Sequence, residues 1–288
     1  MRGAGEIILG ENLEVLPGLK DGAFQLIYID PPFNTGRAQT RKTVQTVPDK
    51  DGDRTGFNGR RYKTRLLAES SYLDDFDDYL AFLEPRLREA HRLLAASGTF
   101  YFHIDYREAH YCKLLLDEIF GRACFLNEII WAYDYGARSR RRWPAKHDTI
   151  LVYVKDAQLY YYDAEEVDRE PYMAPGLVSA EKTAKGKLPT DVWWHTIVPT
   201  NGNEKTGYPT QKPEGIVRRM IQASTRPGDV CLDFFAGSGT VGAVAAKLGR
   251  RYVLIDSNPE AIRIIGERLG VQPPERALVV GEPRVSCR

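Results

Sequence analysis

Between residues 228 and 269 the chain alternates strand and helix with only short turns between them. Val230-Cys231-Leu232-Asp233 reads as a strand, Thr240 to Leu248 as a helix, Arg251 to Asp256 as a strand and 259–269 as a helix entered through Asn258 and Pro259. The same alternation appears earlier. Glu6–Gly10, Phe24–Ile29 and Thr99–Ile104 read as strands, and so do Glu128–Tyr133 and Thr149–Val154. Tyr79, Phe82, Leu83, Leu87, Ala90, Leu93 and Leu94 repeat at helical spacing, in a pattern that turns helical from Tyr72. Further helices are expected at about 107–120 and from Glu214 to Ser224. Phe24 to Ile29 is apolar almost throughout, as a parallel strand covered on both faces should be. Such alternation predicts an α/β fold with a doubly wound, mostly parallel sheet.

Two stretches break the pattern. Residues 34–70 carry four glycines and many charges and read as a long loop, and a loop of that length is functional or disordered. Residues 158–208 are irregular and rich in Pro, Gly, Tyr and Lys. The net charge of the 288-residue chain is only +1, but it is unevenly spread. Residues 36–70 hold nine Lys or Arg against four acids, and 136–147 hold five with none, so the rest of the chain is strongly acidic. Two basic islands on an acidic body suit a polyanionic partner; the plainer reading is a pair of solvated loops. Four scattered cysteines without a CxxC spacing point to reduced thiols and to no structural zinc site. No apolar run approaches the roughly 18 residues of a membrane span, and the first residues lack a signal-peptide pattern.

Asp233-Phe234-Phe235-Ala236-Gly237-Ser238-Gly239-Thr240 joins a strand to a helix. Glycines here admit a ligand close to the backbone, and the helix offers its free N–H groups. Taken alone, such a turn is equally suited to a phosphate, a dinucleotide or S-adenosylmethionine. No Lys-Ser or Lys-Thr follows, which excludes a P-loop, and the spacing FxGxG departs from the dinucleotide pattern GxGxxG. Asp256 ends the next strand, where an acid binds ribose hydroxyls or simply caps the helix after it.

Asp30-Pro31-Pro32-Phe33 ends the strand that contains Leu26-Ile27-Tyr28-Ile29. An exocyclic amine on a nucleobase is a poor nucleophile, because its lone pair is delocalised into the ring. The Asp30 carboxylate and the Pro31 carbonyl, aimed at its N–H bonds, turn that lone pair outward. Pro31 and Pro32 stiffen the turn, and Phe33 offers a face on which an extruded ring stacks.

With the two motifs in this order, the chain resembles the β class of S-adenosylmethionine-dependent DNA amino-methyltransferases. The resemblance implies a Rossmann-like methyltransferase core made of 1–35, 71–157 and 209–270. The resemblance does not extend to the remaining segments, of which 36–70 is expected to be a basic loop over the active site, 158–208 a target-recognition region and 271–288 a tail. Thr210-Gln211-Lys212-Pro213 is similar to the family's segment around the methionine end, and Gly10-Glu11-Asn12 to its adenine-contacting strand end. Cofactor contacts are thereby implied for Asn12, Asp30, Lys212, Asp233, Phe235, Gly237, Ser238, Gly239, Thr240 and Asp256. The extension Asp30-Pro31-Pro32-Phe33-Asn34-Thr35-Gly36 resembles adenine-N6 enzymes, whose usual aromatic at the Phe33 position is Tyr. Cytosine-N4 enzymes more often carry Ser at the Asp30 position. No Pro-Cys dipeptide is present, so a cytosine-C5 mechanism lacks its nucleophile.

The expected reaction is direct in-line methyl transfer to adenine N6 in double-stranded DNA, without metal or covalent enzyme intermediate. Cytosine N4, RNA and a catalytically silent nucleic-acid-binding module are the alternatives. The target base has to be flipped out of the helix, at a cost of a few kcal/mol. Arg60, Arg61, Lys63, Arg138, Arg140, Arg141 and Arg142 are the candidate phosphate contacts, and Trp143 is a wedge or a core aromatic. A homodimer, a cognate restriction endonuclease and a cytoplasmic, nucleoid-associated location complete the expectation.

Overall fold

In the computed structural model, residues 5–34, 39–48, 51, 54–55, 61–72, 76, 78–136, 138–199 and 201–272 are described. The chain divides into two units, Met1–Pro31 with Leu80–Arg288, and Pro32–Tyr79. In chain order the strands are β1 (Gly5–Leu9), β2 (Phe24–Ile29), β3 (Gln39–Pro48), β4 (Arg54–Thr55), β5 (Arg61–Tyr72), β6 (Leu94–Asp105), β7 (Phe125–Ala132), β8 (His147–Val154), β9 (Val192–Trp194), β10 (Val230–Asp233) and β11 (Arg251–Asp256). The helices are α1 (Asn12–Val15), α2 (Tyr79–Leu93), α3 (Ala109–Phe120), α4 (Ala180–Lys185), α5 (Glu214–Ser224), α6 (Thr240–Lys247) and α7 (Pro259–Leu269).

The larger unit holds an eight-stranded sheet in the order β1-β11-β10-β2-β6-β8-β7-β9. Only β8 runs against the others, pairing antiparallel with β6 and β7. All six residues of β2 are buried, the pattern of a strand covered on both faces. From β10 the chain goes on to β11 on one side, and from β2 it goes on by way of the Pro32–Tyr79 unit to β6 on the other. The β2–β10 boundary is therefore the topological switch point. Ligands of doubly wound sheets bind there, outside the carboxyl ends of the strands. The pairing of Cys231 with Leu26 and Leu232 with Ile27 brings Asp233 and the residue after Ile29 to the same edge.

On one face of the sheet, Leu26, Tyr28, Tyr101, Val152 and Leu254 pack with Ile216, Val217, Met220 and Ile221 of α5 and Val241 and Val244 of α6. α2 buries Tyr79, Leu83, Leu87, Ala90 and Leu93, a three-and-four spacing. Asn258 caps α7 by accepting the Glu260 N–H, and Gly270 ends that helix in the left-handed region. Among the described residues no helix is long and apolar enough to cross a membrane.

The Pro32–Tyr79 unit departs from the expected loop. β3, β5 and β4 form an antiparallel sheet in that order, with Gln39 opposite Tyr72 and Pro48 opposite Tyr62. Thr40, Thr43, Val44, Thr46 and Val47 supply the β-branched backbone preference that the charge count conceals. For the same reason α2 begins at Tyr79: Tyr72 is the last residue of β5. The Tyr79 hydroxyl donates to the Pro32 carbonyl at 2.5 Å, and the Phe76 N–H donates to Asn34 Oδ1 at 3.2 Å, so the chain enters and leaves this unit side by side. Residues 158–208 are mostly irregular, as expected. They also contribute α4 and the short edge strand β9, parallel to β7.

Candidate active site at the head of the central strands

Asp30 stands directly after β2. Its Oδ2 accepts the Lys212 ammonium, and both side chains are largely enclosed, at 17% and 10% exposure. Its Oδ1 is buried and has no hydrogen-bond partner among the described residues. Leaving a buried carboxylate oxygen unmatched costs about 1–3 kcal/mol or more, so such an atom is unusual in a folded chain. Pro31 behind it is buried, which fixes the direction in which the carboxylate leaves the strand. Asn34, three residues on from Pro31, adopts a positive φ of 53°, a conformation that asparagine tolerates better than most.

Asp233 ends the neighbouring strand and is 3% exposed. Its Oδ1 accepts the Phe235 N–H at 3.0 Å. Burial pushes its carboxyl well above the ordinary range, and the charges of Asp30 and Asp256 add to that. The Phe235 hydrogen bond and Lys212 oppose it. Asp256 ends β11, and its carboxylate organises the glycine turn: Oδ2 accepts Gly237 N–H at 2.8 Å and Oδ1 accepts Asn258 N–H at 2.9 Å. Burial raises this carboxyl too, against the two backbone donors.

The turn itself requires its glycines. Gly237 and Gly239 have φ of 50° and 70°. A Cβ on Gly237 would lie 3.1 Å from the Tyr208 ring, and one on Gly239 would lie 2.8 Å from Ile265. Ser238 and Thr240 are buried. Their hydroxyls lie 3.2 Å apart, and that of Thr240 donates to the Lys212 carbonyl at 3.1 Å. Arg268 donates to the Ser238 carbonyl at 3.1 Å and pairs with Glu214 at 2.9 Å. The glycine turn and the Thr210–Pro213 segment are thus bolted together, with Gln211 tying its own loop to Thr206 and to the Glu204 carbonyl.

Asn12 is 5% exposed. Its amide donates to the Phe234 carbonyl at 3.2 Å, and its Oδ1 accepts Arg86 Nε at 2.8 Å. Arg86 also donates to the Phe82 carbonyl at 2.7 Å and to Glu11 at 2.6 Å. The Phe235 ring lies 6.3 Å from Phe82 and 5.4 Å from Phe234. The sequence does not single out Arg86, because within an amphipathic helix an arginine looks like a surface residue. For Tyr208 the available hint is its place two residues before Thr210-Gln211-Lys212-Pro213.

The second basic island occupies the loop between β7 and β8. β7 runs in the direction of β2, so this loop leaves the same edge of the sheet as Asp30 and Asp233. Arg138, Arg140, Arg141 and Arg142 are exposed, and Trp143 is 94% exposed, which removes it from the core. Ser139 Oγ accepts the N–H groups of Arg141 and Arg142, each at 3.2 Å, and so shapes the loop. Arg61 and Lys63 are exposed on β5 of the smaller unit. Arg60 lies outside the described residues, as do Thr35, Gly36 and residues 273–288.

A switch-point site with a glycine turn, acids at adjacent strand tips and an open carboxylate oxygen fits a group-transfer enzyme that uses a nucleoside cofactor. The sequence pattern of the DNA methylase family matches residues 24–267, and the chain belongs to that family, the S-adenosylmethionine-dependent DNA amino-methyltransferases. It is 31% identical over 273 residues to the DNA adenine methyltransferase YhdJ of Escherichia coli K12, covering 92% of this chain and 82% of that protein. It is 30% identical over 263 residues to the type II methyltransferase M.HpaI of Haemophilus parainfluenzae, covering 91% and 73%. Among solved structures it is similar to the cytosine-N4-specific PvuII DNA methyltransferase, with a TM-score of 0.64, 16% identity and coverage of 93% and 87%. It is also similar to the M1.HpyAVI complex with S-adenosylmethionine, with a TM-score of 0.58, 20% identity and coverage of 93% and 100%. At these identities the two structures speak for the fold.

The site suits S-adenosylmethionine. A Cβ at Gly237 would crowd Tyr208 and one at Gly239 would crowd Ile265, and the carboxylates that end β10 and β11 keep acceptor capacity for hydroxyl and ammonium donors beside the backbone N–H groups they already bind.

Proposed function

We propose that this enzyme methylates the N6 amino group of adenine in double-stranded DNA at a defined sequence. The observation that carries this reading is Asp30 Oδ1, a buried acceptor unmatched by the described residues, at the tip of the strand beside the glycine turn. Only a donor of the right shape satisfies it, and an exocyclic amine is such a donor. The curated relative named as a DNA adenine methyltransferase, 31% identical over 92% of the chain, supports adenine as the base.

The bound cofactor supplies an electrophilic methyl group on a sulfonium. Asp30 Oδ1 and the Pro31 carbonyl accept the two N–H bonds of the amine, which frees its lone pair from the ring plane. Pro32 keeps the turn rigid, and Phe33 stacks on the extruded base. As the amine becomes cationic, Asp30 Oδ1 holds the proton that must leave. Because these acceptors are fixed before the reaction, they act where charge develops. Lys212, Asp233, Phe235, Gly237, Ser238, Gly239, Thr240 and Asp256 hold the cofactor. Asn12 serves that site through its hold on the Phe234 carbonyl. Arg138, Arg140, Arg141, Arg142 and Trp143, with Arg60, Arg61 and Lys63, contact DNA, and residues 158–208 read the sequence. The enzyme works in the cytoplasm on chromosomal DNA, as a homodimer and beside a cognate restriction endonuclease.

The test is nucleoside analysis of mixed-sequence DNA after incubation with the protein and the cofactor. N6-methyladenine is the expected product. N4-methylcytosine, or methylation of RNA alone, would overturn the assignment.

A further inference from the structure

The turn Asp30-Pro31-Pro32-Phe33 is stiff over most of its length and open at one torsion. Each proline ring fixes its own φ at about −65°, and each restricts ψ of the residue before it. Together they constrain ψ of Asp30, φ and ψ of Pro31 and φ of Pro32. The next rotation, ψ of Pro32, is left open by the covalent chain. It turns the Pro32 carbonyl and everything from Phe33 onward. Neither proline has an N–H with which to lock the turn.

That rotation is held by another part of the chain. The Tyr79 hydroxyl donates to the Pro32 carbonyl at 2.5 Å. Tyr79 is the first residue of α2 and is 4% exposed, so the hydroxyl is presented by a buried ring on a helix. Three residues earlier, the Phe76 N–H donates to Asn34 Oδ1 at 3.2 Å. Asn34 has a φ of 53°, and the bond to its side chain secures a conformation that residues other than glycine seldom adopt. The Phe76 and Tyr79 rings pack together at 5.4 Å, tilted by 50°. Phe33 therefore lies between two clasped neighbours, Pro32 gripped at its carbonyl and Asn34 at its side chain. A hydrogen bond to a carbonyl adds little net stability, but this one selects a single ψ.

We propose, building on the amine-methylation reading, that Tyr79 is a positioning residue for the target base. Its hydroxyl sets ψ of Pro32 and so aims the face of Phe33, with Asn34 as the second clasp. The Pro31 carbonyl, which accepts one N–H of the amine, lies before the open torsion, and the stacking ring lies after it. Tyr79 keeps the two in register, so that the base stacked on Phe33 presents its amine to the acceptors.

The experiment compares wild-type protein, Tyr79→Phe, Phe33→Ala, the double variant and Asn34→Gly, all as the full chain. Single-turnover and steady-state methylation of duplex DNA are measured per folded molecule, with cofactor affinity by calorimetry. Tyr79→Phe keeps the ring and removes only the hydroxyl. It should slow methyl transfer about tenfold, because misaligned reacting groups lose rate steeply. KM for DNA and cofactor affinity should stay within about twofold. In the Phe33→Ala background the same change should cost less than about twofold, since the face it aims is gone. Asn34→Gly permits the backbone conformation without the clasp and should be several-fold slower. Wild-type turnover in Tyr79→Phe overturns the inference, as does raised KM at wild-type kcat. So does a Tyr79→Phe effect that is as large on Phe33→Ala as on wild type. If Tyr79→Phe folds poorly, wild-type turnover in Asn34→Gly overturns it likewise. Phe33→Ala at the wild-type rate would instead sink the stacking role on which the inference rests.

Discussion

The tips of β2 and β10 stand side by side and both carry acids, but they are built in opposite ways. At β10 and its neighbour β11, Asp233 and Asp256 are engaged by backbone N–H groups of the turn they support. At β2, Asp30 meets a side-chain ammonium and keeps one oxygen unmatched by the described residues. The cofactor side is thus braced by the protein's own backbone, whereas the catalytic side depends on a single side-chain atom and on what is brought to it. Changes to backbone geometry should harm the first, and changes of charge the second.

Gly237→Val probes the backbone-built side most harshly. A β-branched residue at a φ of 50° is strained by about 1–3 kcal/mol, and its Cβ would crowd Tyr208. Cofactor affinity by calorimetry should drop tenfold or more while the domain stays folded. Unchanged affinity would erase the contrast between the two tips.

Neutralising Arg140, Arg141 and Arg142 together tests whether the loop beside the catalytic edge serves DNA. Binding of duplex DNA should weaken, and its log–log salt slope should fall by about 0.9 for each phosphate no longer neutralised. Cofactor affinity should not change. A wild-type salt slope would leave these arginines as solvated charges.

Arg86→Met should have the smallest effect on function. It removes three side-chain hydrogen bonds and leaves Asn12 Oδ1 unmatched. Stability measured by denaturant titration should fall by about 1–3 kcal/mol, with a several-fold loss of cofactor affinity as the grip on the Phe234 carbonyl loosens. Full affinity in a destabilised variant would separate Asn12 from the cofactor turn.

What is legible in the sequence follows the same division. β2, β10, β11, α5 and α7 can be read with their true ends, because dense burial and short turns leave such segments a single interpretation. The glycine turn is legible because its conformation demands particular residues in sequence. The Lys212–Asp30 pair joins residues 182 positions apart, and no local pattern encodes it. The same holds for Arg86 with Asn12, and for His103 with Asp148 and Tyr28. The β3–β5–β4 sheet is hidden for another reason. Its Thr and Val residues are visible, but glycines and charges outweigh them, and antiparallel partners can be recognised only in pairs.

The most direct test of the account is the isosteric change Asp30→Asn, measured against wild type on the same genomic DNA. Cofactor affinity is taken by calorimetry and N6-methyladenine by nucleoside analysis. The substitution keeps the shape at the tip of β2 but removes its charge and lets an NH₂ donor face the amine. The account predicts cofactor affinity within about threefold of wild type, with methylation slowed by about a thousandfold or more, in line with the loss of a preorganised electrostatic contact. N6-methyladenine formed by Asp30→Asn at the wild-type rate would contradict it.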